Sequence, residues 1–105
     1  MGFLDFLFGK KEQENIDFKQ LVADGATVLD VRTPEEFKAG HIKNAVHIPL
    51  QVLPKNLDKA KGLSTPIVAY CRSGRRSGVA TKMLNRAGIK TYNGGGMEEL
   101  KLKLK

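Results

Sequence analysis

The chain has one cysteine, no tryptophan and two histidines. A single thiol excludes an internal disulfide, a CxxC redox pair and any cysteine-based metal cluster. With His41 and His47 the only imidazoles, no metal site is indicated. No apolar run is long enough to span a bilayer. Aromatics make up only 7% of the residues and the lysines are scattered. No nucleic-acid-binding motif accompanies the net charge of +7, so nucleic acid is not expected as a partner. A free thiol without a secretory signal fits a reducing compartment, which makes a cytoplasmic location the expectation.

What remains is ordinary for a globular protein: 105 residues, 41% hydrophobic and 28% charged. That length supports one domain with a single modest core. Residues 1–15 stand apart. Phe3, Leu4, Phe6, Leu7 and Phe8 would form a broad apolar face on a helix, with Asp5 opposite, and Lys10 to Asn15 read as a polar linker. The extension either folds back on the domain or makes a weak membrane or partner contact through residues 1–9. The domain itself is read as residues 16–105.

Within it, the stretch Pro66-Ile-Val-Ala-Tyr-Cys71-Arg-Ser-Gly-Arg-Arg-Ser-Gly78 organises the rest. Ile67 to Tyr70 are strand formers, started by a proline that a first strand position tolerates. After seven small or basic residues a helical stripe begins: Val79, Ala80, Met83, Leu84 and Ala87, with Gly88 as its stop. Cys71 is thus expected at the end of a buried strand, in a tight loop feeding a helix N-terminus. Loop amides and the positive end of a helix dipole favour an anion there. With Arg72, Arg75 and Arg76 nearby, the thiol is expected to ionise more readily than a free cysteine. The competing reading is a small, inert core cysteine.

Elsewhere the chain alternates strands and helices. Asp17 and Gln20 open a short helix with Phe18, Leu21 and Val22, ending at Gly25. Thr27 to Val31 read as a strand. Thr33, Pro34 and Glu36 supply an N-cap, a first-turn proline and the acid of a capping box, and Gly40 ends that helix. Ala45 to Ile48 read as a strand, followed by an irregular, partly helical crossover that closes at Gly62. Ile89 to Tyr92 read as the last strand, before Gly94, Gly95 and Gly96. From Met97 onward a short helix with a frayed basic end competes with strand-like alternation and is preferred. The order predicts an α/β fold: a small parallel sheet flanked by helices on both faces. Ligands of such sheets lie at the carboxyl ends of strands. Asp30 and Arg32 end one strand and Cys71 another, so the two meet at one rim. Asp30 and Arg32 either pair with loop arginines, orient the cysteine loop, or form a structural ion pair. His41 reads as a helix cap or a residue packed under the rim.

Cys71-Arg-Ser-Gly-Arg-Arg76 resembles the active-site loop of the rhodanese family of sulfurtransferases. So do Leu29-Asp-Val-Arg-Thr-Pro-Glu-Glu-Phe37, Gly40-His-Ile42 with Ala45 to Pro49, and Asn93-Gly-Gly-Gly96, in the family's order and spacing. The resemblance implies the rhodanese-like fold and a nucleophilic Cys71. Its thiolate would take one sulfur from thiosulfate or a similar donor anion as a persulfide, and pass it to a thiol or to cyanide. It implies that Arg72, Ser73, Gly74, Arg75, Arg76 and Ser77 bind the substrate, that Asp30 and Arg32 support the loop, and that no metal or organic cofactor takes part. Without a second cysteine the persulfide cannot resolve within the chain, so an external thiol or an acidic protein must accept the sulfur. Glu36 and Ser73 stand where two-domain mitochondrial-type enzymes have Arg and Lys, leaving the loop arginines to supply the charge. The alternatives are a Cys-based phosphatase or arsenate reductase of related fold, and a non-catalytic rhodanese-like binding module. In the first, an arginine would occupy the sixth position after the cysteine; here that position is Ser77.

Overall fold

A computed structural model of the chain describes residues 16–105; the expectations for the apolar extension lie outside the described residues. Helix α1 (Phe18–Ala23) starts where the Asp17 carboxylate accepts the Gln20 amide. Gly25 then reverses the chain at φ +108°. Strand β1 (Thr27–Asp30) follows. In α2 (Pro34–Ala39) the expected capping box forms in full, with Thr33 and Glu36 each satisfying the other's amide. Strand β2 is only Val46–His47. The crossover is a 3₁₀ turn, Leu50–Lys55, and a one-turn helix α3 (Leu57–Lys61) that stops at Gly62. Strand β3 (Ile67–Cys71) feeds α4 (Arg75–Arg86). Strand β4 (Thr91–Gly96) leads into α5 (Met97–Lys103).

The four strands form one parallel sheet in the order β2-β1-β3-β4. All five residues of β3 are buried, as expected of a central parallel strand with both faces covered. Alternate side chains therefore feed two cores. On one face Leu29, Val31, Ile67, Ala80 and Leu84 pack with Leu53 and Ala60 of the crossover. On the other, Val28, Val68 and Tyr70 pack with Phe18 and Leu100. Each fully buried Leu or Val stabilises the fold by roughly 1.5–3 kcal/mol of transfer free energy.

Two expectations change. Val79, placed on the apolar stripe of α4, is 49% exposed; Ala80 and Leu84 carry the contact. The last strand also starts later than its apolar run and continues through the glycines. Glycine is disfavoured in strands, but here tertiary contact decides. A Cβ on Gly94 would stand 2.9 Å from Val68 and 3.0 Å from Leu100. Only a residue without a side chain lets β4 lie between the sheet's centre and α5.

Candidate active-site loop

Cys71 is the last residue of β3, and its thiol is turned into the loop and 1% exposed. Gly74 takes φ +98°, a left-handed conformation open to glycine. The chain thereby folds back over the sulfur, and three residues separate the strand from α4. Gly74 is the N-cap of α4 and has no side chain to cap it. The sulfur takes over that task. The Gly74 N–H donates to Sγ at 3.0 Å, and the Ser77 N–H, in the third helical position, donates at 3.4 Å. Ser77 Oγ also lies 3.4 Å from Sγ. Burial pushes the Cys71 thiol up, but the Ser77 hydroxyl and the amides of Ser77, Ser73 and Gly74 outweigh it. The net direction is down. Hydrogen bonds to the charged form, more than arginine charge, make this thiol acidic.

The arginines correct the expectation of three cations around the sulfur. Arg76 donates two hydrogen bonds to Glu36 of α2, at 2.6 and 2.9 Å. Glu36 consequently titrates near 2, held down first by the Arg76 guanidinium. Glu36 therefore neutralises a loop arginine as well as capping its own helix. Among the described residues neither Arg72 nor Arg75 forms an ion pair, and both are exposed.

Asp30 does not reach the loop arginines. It holds Arg32, two residues on, through a fork of bonds at 2.7–3.1 Å, and the Tyr70 hydroxyl donates to it at 2.6 Å. Arg32 also donates to the Gly40 carbonyl, and the Ile42 amide donates to the Tyr70 oxygen. Asp30 is fully buried and Arg32 is 5% exposed, so the pair fits the structural reading. It pins the turn after α2 to the end of the sheet. Tyr70, read from sequence only as an apolar strand residue, is the hub of this network. Burial and the Asp30 contact raise its phenol well above the ordinary value. Phe37 is stacked between the two imidazoles, His41 at 3.7 Å and His47 at 4.2 Å. His41 meets the Phe37 carbonyl at the end of α2, as a helix cap should.

The loop's other wall is β4. Asn93, quoted in the sequence only as part of a glycine-rich block, accepts from the Ser77 hydroxyl at 2.7 Å and donates to the Gly74 carbonyl at 3.0 Å. A Cβ on Gly96 would stand 2.5 Å from the Arg72 carbonyl oxygen, so strand and loop touch backbone to backbone. Beside the loop opens a cleft of about 380 Å³ between α2 and α5, lined by Arg32, Glu36, Ala39, Gly40, Arg72, Met97 and Glu98. Ser73, Gly74 and Ser77 stand around the sulfur, but neither they nor Arg75 line this cleft. Among the described residues no helix is long and apolar enough to cross a membrane, and no cluster of three or more His, Cys, Asp or Glu could hold a metal ion.

A strand-end cysteine in a short loop before a helix, on a four-stranded parallel sheet, can be compared with known proteins. The rhodanese-like domain matches residues 14–103. The chain belongs to the rhodanese-like family. Rhodanese-like relatives include the thiosulfate sulfurtransferase PspE of Escherichia coli, 31% identical over 74 residues, covering 69% of this chain and 71% of PspE. A sulfurtransferase of Allochromatium vinosum is 34% identical over 79 residues, covering 73% of each. Among solved structures, a rhodanese with anions from E. coli aligns with a TM-score of 0.64 at 30% identity, covering 70% of this chain and 89% of that one. Other relatives are longer: the chain spans 36% of a Synechocystis protein. The rhodanese-like fold, a parallel sheet with helices on both faces, is the one its sequence predicts.

Proposed function

We propose that this rhodanese-like protein is a sulfurtransferase that carries sulfane sulfur as a persulfide on Cys71, from thiosulfate or a similar donor to a thiol or cyanide. One observation carries the reading. The sulfur accepts hydrogen bonds from the Gly74 and Ser77 amides at the start of α4, which favour its anionic form. A buried thiolate held by fixed backbone donors is an activated nucleophile. In the first half-reaction it attacks the outer sulfur of thiosulfate. An S–S bond forms to Cys71, the donor's S–S bond breaks, and sulfite leaves with the bonding pair. In the second, an acceptor thiolate attacks the outer sulfur of the persulfide, and Cys71 departs as thiolate. The same amides serve each anion in turn, a preorganised arrangement that needs no rearrangement between steps.

Arg72 and Arg75 give the rim its positive potential, and the cleft beside Arg72 has room for a small donor anion or a low-mass thiol. A phosphatase role finds less support. Ser77 replaces the gripping arginine and is fully buried against Asn93, while Arg76 is engaged by Glu36. The test is to incubate the protein with thiosulfate and weigh it intact. The expected result is a gain of about one sulfur atom, removed by cyanide or a thiol, with no gain in Cys71→Ser. A Ser variant that still transferred sulfur would end the reading.

A further inference from the structure

Ser77 has one hydroxyl proton and two acceptors for it. Its oxygen lies 2.7 Å from Asn93 Oδ1 and 3.4 Å from Cys71 Sγ. While Cys71 is a neutral thiol, its S–H can donate to the Ser77 oxygen and the hydroxyl is free to serve Asn93. Once the sulfur is an anion it can only accept, and the two sites compete. The Asn93 side chain is fixed in one sense. Its nitrogen donates to the Gly74 carbonyl at 3.0 Å and its oxygen accepts the Gly95 amide at 3.0 Å. Turning the amide over would set donor against donor and acceptor against acceptor. Because the Gly95 N–H stays, the Asn93 oxygen keeps a partner when the hydroxyl leaves. The site is built closely: a Cβ on Gly78 would come within 3.3 Å of the Asn93 nitrogen.

We propose that Asn93 is a positioning residue for the sulfur of Cys71: it holds the Ser77 hydroxyl while the sulfur is protonated and yields it when the sulfur becomes an anion. The Ser77 O–H swings from oxygen to sulfur, no bond between heavy atoms changes, and the thiol proton goes to solvent. Use of the same hand-over for a persulfide rests on the sulfurtransferase reading; the thiol-to-thiolate hand-over does not. Other charged or titratable groups around the loop are Arg72, Arg75 and Arg76, Glu36 on α2, and Asp30 with Arg32 and Tyr70 below the rim. His47 meets the Arg32 carbonyl, and Glu98 and Glu99 begin α5. None of these hydrogen-bonds to the Ser77 hydroxyl, whose partners are Asn93 and Cys71, so the Asn93–Ser77–Cys71 line can be isolated genetically.

The experiment follows thiolate absorbance at 240 nm against pH, as a difference from Cys71→Ser. One cysteine and no tryptophan keep the signal clean, and the subtraction removes the tyrosines. Asn93→Ala should move the midpoint down by about half a unit, roughly threefold more thiolate at a pH below it. In a Ser77→Ala background the same substitution should leave the midpoint in place, because there is no hydroxyl to release. Where Asn93→Ala does not fold, Asn93→Asp replaces it. The carboxylate grips the hydroxyl harder, so the midpoint should rise more with Ser77 present than with Ala at that position. Equal shifts in both backgrounds, or an upward shift in Asn93→Ala, overturn the proposal. Sulfur loading by mass is scored separately. A protein that loads sulfur without this coupling refutes only the role of Asn93, and one that shows the coupling without loading refutes only the sulfurtransferase reading.

Discussion

Two neighbouring strands end at the same rim and treat charge in opposite ways. At the end of β1, Asp30 and Arg32 are buried and cancel one another through side-chain bonds. At the end of β3, the sulfur of Cys71 is buried too, yet no opposite side-chain charge is bonded to it; backbone amides and a hydroxyl surround it. The first arrangement is turned inward, since none of its fully buried polar atoms lacks a partner. The second favours an anion through backbone donors and a hydroxyl and ties it to no side-chain charge. Side-chain pairing fixes the scaffold, and backbone polarity makes the thiol acidic.

Breaking the β1 end should produce the largest effect. Asp30→Ala strips Arg32 and the Tyr70 hydroxyl of their common acceptor and leaves a buried guanidinium unpaired. The expected loss is about 3–5 kcal/mol, read as a lower denaturant midpoint, with sulfur loading retained wherever the protein stays folded. A loss below about 1 kcal/mol, the scale of an exposed pair, would mean that the pair is solvated and the contrast false.

The second test moves charge from one arrangement to the other. Glu36→Gln keeps a side chain that can serve the capping box but releases Arg76 toward the loop. The expected result is a KM for thiosulfate lowered about threefold, in keeping with an ion pair of modest strength, with kcat little changed. An unchanged KM would show that Arg76 does not face the donor even when free.

Next in size is a pH effect on stability. The folded-state thiol of Cys71 ionises below its unfolded value. Its contribution is therefore fully present above the unfolded pKa of about 8.5 and is lost as pH falls through the folded value. The melting temperature of the native protein minus that of Cys71→Ser should climb over that window. A flat difference would mean that the amides do not favour the anion. Glu36 should add an acid limb: its contribution is present above the ordinary 4.5 and fades as pH drops toward 2, and Glu36→Gln should remove it.

The smallest effect concerns partners. With Arg32 and Arg76 paired, Arg72 and Arg75 carry the rim's exposed charge. Sulfur transfer to an acidic acceptor should slow with salt, since exposed charges are screened over about 8–10 Å, and transfer to a neutral thiol should change less. Identical salt responses would assign the arginines to the donor anion alone.

These contrasts also show where the sequence was readable. Local chemistry was legible: the Thr33–Glu36 box, Gly40, Gly62 and Gly88 as stops, and a cysteine between a strand and a helix all depend on residues a few positions apart. Pairings across the chain were not. Arg76 and Glu36 are 40 residues apart, as are Tyr70 and Asp30, and nothing in either neighbourhood names the other. In the sequence Asn93 stands out only as the first residue of a glycine-rich block. Those glycines lie in a strand because a helix side chain and a loop carbonyl press against them, and contact of that kind leaves no periodic trace.

The sulfur atom that caps α4 has a further consequence. The Ser77 amide has Sγ as its hydrogen-bond acceptor, and Gly74 offers its N–H to the same atom. Exchange of those two amide hydrogens with solvent is thus governed by one atom's occupancy. Whatever the sulfur carries (a proton, a second sulfur or an alkyl group) changes the acceptor and hence the exchange rate. If Cys71 carries sulfur as proposed, two backbone positions become a gauge of its loading state, readable without any label on the cysteine.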